Sequence, residues 1–163
     1  MFDLKRVILL AVIALLFAGG VAAQGAAPVG GGSAEVKAFD PARDAAKDIL
    51  QAVAEAKRSG RRVLLDVGGD WCIWCRRLDS LFVAHKELER FREQHYVTVK
   101  VNWSKDNKNE KVLSRYPAIP GYPHLFVLDS NGSLLKSQDT GELEKGKGHD
   151  PVKVMAFLTT WAE

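Results

Sequence analysis

The spacing of apolar residues changes period several times along the chain, and each change predicts an element. Ala42, Ala45, Ala46, Ile49, Leu50 and Val53 recur at helical spacing. Asp40 followed by Pro41 offers an N-cap and a first-turn proline, and Gly60 offers a stop. RVLLDV (Arg62 to Val67) is short and apolar on both faces, as a buried parallel strand requires. CIWCRRLDSLFV and HKELERFREQ both read as helix, with Leu78, Leu81, Phe82, Leu88 and Phe91 as their apolar set. Periodicity alone leaves open whether they form one helix or break near Val83 and Ala84. YVTVKVN (Tyr96 to Asn102) alternates, with Val97, Val99 and Val101 on one face of a strand. A polar helical piece, NKNEKVLSRY, leads to Pro117 and Pro120, and the strand HLFVL follows Pro123. Asp129-Ser130-Asn131-Gly132 has the composition of a hairpin turn into SLLKS. Asp150-Pro151 opens a last helix striped by Val154, Met155, Leu158 and Trp161.

This order predicts an α/β fold: a mixed sheet of about four strands flanked by helices on both faces, with right-handed crossovers building its parallel part and the hairpin adding an antiparallel edge. In such sheets the working site lies at the C-terminal ends of the strands. Ahead of the domain, Lys5 and Arg6 precede the apolar run VILLAVIALLFA, and Val21-Ala22-Ala23 supplies small residues of the kind a signal peptidase reads. Residues 1–23 are therefore expected to be an export signal, residues 24–38 a Gly, Ala and Ser rich lead-in, and residues 39–163 the folded domain. The expected location is the bacterial periplasm, an oxidising compartment. An uncleaved anchor fits less well, because the run falls short of the ~20 apolar residues that span a membrane.

Composition narrows the picture without redirecting it. The 163 residues are 47% hydrophobic and 26% charged, values of an ordinary globular domain. With 23 basic against 20 acidic residues and no basic run, there is no reason to expect nucleic acid as a partner. Nothing in the sequence calls for more than a monomer.

The chemistry concentrates in GDWCIWCRRLD, residues 69–79, which holds both cysteines of the chain, Cys72 and Cys75. As a structural staple the pair is poor, because closing so short a loop removes little unfolded-state entropy. As a zinc site it lacks a second pair of ligands, and haem attachment would need His where Arg76 stands. Copper(I) remains open, since two thiolates and a histidine can hold it. His85, His95, His124 and His149 nevertheless read more simply as surface or locally packed residues. Redox chemistry uses the spacing best. At a helix start, Cys72 faces free backbone N–H groups that favour a thiolate, and Cys75, one turn on and more buried, supplies the second thiol that resolves a mixed disulfide.

Trp71-Cys72-Ile73-Trp74-Cys75-Arg76, placed between a buried strand and a helix, resembles the active-site segment of the thioredoxin superfamily, especially its exported members. Asp66, five residues before Trp71, stands where thioredoxins carry a buried acid, and Gly121-Tyr122-Pro123 looks like the family's cis-proline segment. The resemblance covers about Phe39 to Trp161. It implies a thiol-disulfide oxidoreductase with no cofactor, in which Cys72 attacks, Cys75 resolves and Asp66 takes a proton from Cys75. It further implies a cis Pro123 packed on the disulfide, with Trp71, Trp74 and the Tyr122 backbone meeting a protein disulfide substrate. A reductase in an oxidising compartment also needs an electron donor, expected in the membrane.

Three features depart from that pattern. Gly68-Gly69-Asp70 replaces bulkier residues before the Trp-Cys pair, predicting a more open or mobile rim. Trp74 takes the place of a proline, either to pack the helix start or to shield the sulfurs. The Ile73-Trp74 dipeptide lacks the histidine associated with strongly oxidising relatives, which tilts the expectation toward reduction. Disulfide oxidation or isomerisation, and a copper-handling or metallocofactor-assembly module, are the alternatives. Trp103 and Trp161 are expected in core or edge packing, and ELEKGKGHD (Glu142 to Asp150) in a solvated loop.

Overall fold

The computed structural model describes residues 38–162. The expected export signal and all but the last residue of the lead-in lie outside the described residues. Helix α1 (Ala45–Ser59) ends at Gly60, whose φ of 71° is the left-handed conformation a helix C-cap favours. It begins four residues later than expected. Asp44, not Asp40, is the N-cap, its carboxylate accepting from the Lys47 amide at 3.1 Å. Asp40 instead closes a turn, accepting from the Ala42 amide at 2.9 Å. That turn lets Phe39 point inward and be buried before the helix starts. Leu50, counted in the expected apolar face, points to solvent; Ala45, Ala52 and Ala56 are buried, and the expected Ala46, Ile49 and Val53 pack beside them.

Strand β1 (Arg62–Gly68) lies in the middle of the sheet. Helix α2 (Ile73–Ala84) and helix α3 (Lys86–His95) are separate, broken at His85, which has non-helical φ and ψ. Strand β2 (Tyr96–Asn102) then pairs parallel to β1, from Arg62 opposite Tyr96 to Gly68 opposite Asn102. The polar piece after it forms only one helical turn, α4 (Glu110–Leu113). Strands β3 (His124–Leu128) and β4 (Leu134–Asp139) complete a four-stranded sheet in the order β2-β1-β3-β4.

One expectation needs correcting here. The antiparallel part is more than an edge, because β3 runs antiparallel to β1, with His124 opposite Val67. A single helical turn among prolines does not carry the chain back along the sheet as a crossover must. The chain therefore stays at the C-terminal end of β1 and re-enters there, which brings Pro123 to the end where the cysteines sit. The β3–β4 turn is the expected one: the Asp129 carboxylate accepts from the amides of Asn131 and Ser133, both at 2.8 Å, and Gly132 has φ of 89°.

After β4 comes a 3-10 turn (Thr140–Leu143), then a two-stranded ribbon of β5 (Glu144–Lys145) and β6 (Gly148–His149). Helix α5 (Pro151–Trp161) closes the fold, with the Asp150 carboxylate accepting from the Val152 amide at 2.9 Å. The ribbon replaces the expected solvated loop. Leu143 and His149 are buried, and β6 packs on α2.

Strand alternation splits the core into two layers. Val63, Leu65, Val67, Val99, Val101, Phe126 and Leu128 face α1. Leu64, Tyr96, Leu125 and Val127 face Leu78, Phe82, Leu88, Val154, Phe157 and Leu158 from α2, α3 and α5. Phe157 belongs to this layer although the expected stripe of α5 omitted it. The Tyr96 hydroxyl donates to the Leu158 carbonyl at 2.7 Å, tying β2 to α5. No helix among the described residues is long and apolar enough to cross a membrane.

Candidate active site

The site starts where β1 stops. Gly68 and Gly69 lead into a tight turn, closed by the Cys72 amide donating to the Gly69 carbonyl at 2.9 Å, and Cys72 becomes the N-cap of α2. Its sulfur accepts from the Cys75 amide at 3.1 Å, so a free N–H of the first helical turn points at Cys72. Cys72 and Cys75 are joined as a disulfide, Cα atoms 5.3 Å apart. Both are buried, Cys75 the more deeply, in a small cluster with Phe39, against which Trp74 and Tyr122 pack.

The two glycines do not loosen the rim, contrary to expectation. A Cβ on Gly68 would stand 2.5 Å from Cys75 Sγ and 3.1 Å from the Phe39 ring, and a Cβ on Gly69 would overlap the Trp71 indole. Their small size lets the disulfide and the indole close down on the backbone. Gly68→Ala is expected to cost about 2 kcal/mol of stability in the oxidised protein, as overpacked core positions do. Urea unfolding of the oxidised chain measures it, and an unchanged midpoint would contradict the close packing.

Pro123 follows a cis peptide bond, and its carbonyl accepts from Thr140 Oγ1 at 2.5 Å. Tyr122 stacks on Trp103, ring centroids 4.9 Å apart, and Trp71 stands edge-on to both, at 5.7 Å from Tyr122 and 5.9 Å from Trp103. The Trp71 Nε1–H donates to the Trp103 carbonyl at 2.7 Å. Trp71 is nonetheless 54% exposed, and Ile73 beside it is exposed as well. Trp103 was expected only to pack; it builds the platform beside the disulfide. Trp74 also packs against the cysteine cluster and stands edge-on to His149 at 5.7 Å, with the Arg77 guanidinium 4.5 Å from the centre of its ring.

Beneath the disulfide, alternation along β1 and β2 turns Asp66 and Lys100 toward α2. Asp66 is 3% exposed. Its Oδ2 accepts from Lys100 Nζ at 2.6 Å, while its Oδ1 has no hydrogen-bond partner among the described residues. Lys100 also donates to Asp79, one turn beyond Cys75, and lies 4.5 Å from the centre of the Phe39 ring. Burial works against the Lys100 charge, yet the two carboxylates outweigh it and hold the ammonium above its usual pKa. Burial raises the Asp79 carboxyl in turn, with Lys100 only partly opposing it. One cation thus serves two carboxylates.

Sequence alone assigned no role at the site to Lys100, Asp79 or Phe39, and it read His149 as a surface or locally packed residue. The only available signal was for Lys100, a charged residue on the same face of an alternating strand as the buried Tyr96. Among the described residues, no group of three or more His, Cys, Asp and Glu side chains converges on a point that could hold a metal ion.

A disulfide at a helix N-terminus, set beside a cis-proline at the C-terminal end of a central strand, defines an α/β domain of the thiol-disulfide type. The chain belongs to the thioredoxin-like family, which residues 44–130 match. Among curated proteins it is 29% identical over 118 residues to the thiol:disulfide interchange protein DsbD of Pseudomonas fluorescens, covering 71% of this chain and 18% of that protein. It is 26% identical over 94 residues to the disulfide bond reductase DsbH of Chlamydia pneumoniae, covering 52% of this chain and 56% of that one. The chain thus spans less than a fifth of the DsbD relative and just over half of the DsbH relative. Among solved structures, a disulphide isomerase from Xylella fastidiosa Temecula1 shares the fold, with a TM-score of 0.65 at 24% identity over 77% of this chain and 96% of that one.

Proposed function

We propose that the chain is an exported thiol-disulfide oxidoreductase that reduces protein disulfides. The observation that carries this reading is the Cys72–Cys75 disulfide at the N-terminus of α2, beside the cis Pro123. In the reduced protein the helix N-terminus favours the Cys72 thiolate. That thiolate attacks a substrate disulfide, forming a mixed disulfide and expelling one substrate thiolate. Cys75 then loses its proton and attacks the Cys72 sulfur, which closes the internal disulfide and expels the second thiolate. The electron pair passes to the substrate, and the protein ends oxidised.

Trp71, Trp74, Tyr122 and Pro123 form the substrate-facing rim in this reading, with Trp103 completing the aromatic platform. An extended substrate segment pairs with the open Tyr122 backbone. Asp66 takes the Cys75 proton on Oδ1, the oxygen that Lys100 leaves free. The N-terminal pattern supports export to the periplasm, and re-reduction there calls for a membrane electron donor.

The reductive direction is supported by the absence of histidine between the cysteines and by similarity to a protein named a disulfide bond reductase. Its test is the potential of the Cys72/Cys75 couple, measured by equilibration with a thiol-disulfide buffer. A value near about −270 mV is expected, and one near about −120 mV would reverse the direction.

A further inference from the structure

Phe39 stands apart from the two core layers. Alone among residues 38–44 it is buried, and it packs with Cys72 and Cys75 instead of joining either face of the sheet. The segment that carries it is fastened at two places: the Phe39 amide donates to Asp70 Oδ1 at 3.3 Å, and Asn107 Nδ2 donates to the Pro41 carbonyl at 2.9 Å. The ring is thus held in place from both sides. A Cβ on Gly68 would meet Cys75 Sγ and the edge of the Phe39 ring together, so sulfur and ring close over the same bare stretch of backbone. Gly68 has no side chain to cover that flank of the sulfur, and Phe39 supplies the cover.

Such a cover matters because leaving-group chemistry favours the wrong sulfur. An outside thiolate can attack either sulfur of the disulfide, and the sulfur it does not attack departs with the electron pair. The thiol of lower pKa departs faster. Cys72 is that thiol, since its sulfur caps α2 and accepts from the Cys75 amide. Reactivity alone would therefore direct attack to Cys75, whereas the exchange mechanism runs through Cys72. Access has to make the choice.

We propose that Phe39 determines which sulfur exchanges: its ring closes Cys75 to outside thiols and disulfides, leaving Cys72, beside the exposed Trp71 and Ile73, as the point of contact. The inference rests on the thiol-disulfide reading and deepens it. When a dithiol donor re-reduces the chain, its first thiolate bonds to Cys72 and the Cys72–Cys75 bond breaks. Cys75 keeps the electron pair and gains a proton in place of the one the donor thiol lost. The donor's second thiolate then displaces Cys72, and the donor leaves as a disulfide. Attack on Cys75 would instead strand the donor on the deeper sulfur.

The test measures each sulfur separately. In the reduced full-length chain Cys75→Ser leaves Cys72 as the sole thiol and Cys72→Ser leaves Cys75, and a chromogenic aromatic disulfide reports the exchange rate of whichever remains. Adding Phe39→Ala is expected to speed exchange at Cys75 about tenfold and to change Cys72 by less than about twofold, because only the buried sulfur loses its cover. A general loosening of the fold would speed both. Phe39→Leu keeps apolar volume but not the reach of the ring, and about a threefold rise at Cys75 alone is expected. Circular dichroism shows whether each variant is folded, and Phe39→Leu decides if Phe39→Ala is not. In a folded variant, an unchanged rate at Cys75, or an equal rise at Cys72, overturns the proposal. Failure of the thiol-disulfide reading is a separate result, in which the wild-type chain does not speed the reduction of insulin disulfides by a dithiol.

Discussion

Cys75→Ser is expected to turn the chain into a trap that stays covalently attached to its substrate through Cys72. In the wild type, Cys75 is one helical turn from Cys72, its Cα 5.3 Å away in the disulfide. A nucleophile held in such geometry acts at an effective concentration of ~10⁵ M or more, against about a millimolar for a free thiol. Removing it should lengthen the life of the mixed disulfide by at least about a thousandfold. Cys72→Ser should leave no covalent species and no reduction above background. The check is non-reducing electrophoresis and mass spectrometry of the Cys75→Ser chain mixed with an oxidised protein such as insulin. A chain that forms no adduct through Cys72 would remove the mechanism.

Lys100→Met is expected to be the most destabilising single change near the site, at about 3 kcal/mol. Lys100 is the cation that both Asp66 and Asp79 contact, and Asp66 is buried. Without it one carboxylate is buried uncompensated and faces a second of like charge. Because Lys100 has its pKa raised by folding, its contribution is complete below about pH 10 and fades only as the pH climbs through the raised value. The loss in the variant should therefore be visible across the neutral range. Asp66→Asn added to Lys100→Met should recover part of it by removing the charge left unpaired. Denaturant unfolding of both variants decides the matter, and a loss below about 1 kcal/mol for Lys100→Met would mean the ammonium is not holding the pair.

The elements that sequence placed well are those whose signals are local. Cys72 capping a helix, Gly60 ending one, Asp150-Pro151 opening another and Asp129 to Gly132 turning a hairpin all depend on residues within a few positions of one another. The α1 start shows the limit: Asp40 and Asp44 are equally good caps, and burial of Phe39 against the disulfide decides between them. The direction of β3 is likewise invisible locally, since it depends on where a link of one helical turn lets the chain re-enter the sheet.

By itself the sequence determined the α/β order and the position of the cysteine pair after a buried strand, because each is written in short-range periodicity or in residue chemistry, whereas the placing of Pro123 with that pair came from the resemblance to the thioredoxin superfamily. Only the tertiary structure decided which groups stand under that pair. Lys100 is 34 residues from Asp66, and Phe39 comes from ahead of the first helix. A charge becomes chemically important when burial removes the water that would otherwise screen it. Burial is a property of the packed layers and not of the residues taken one after another.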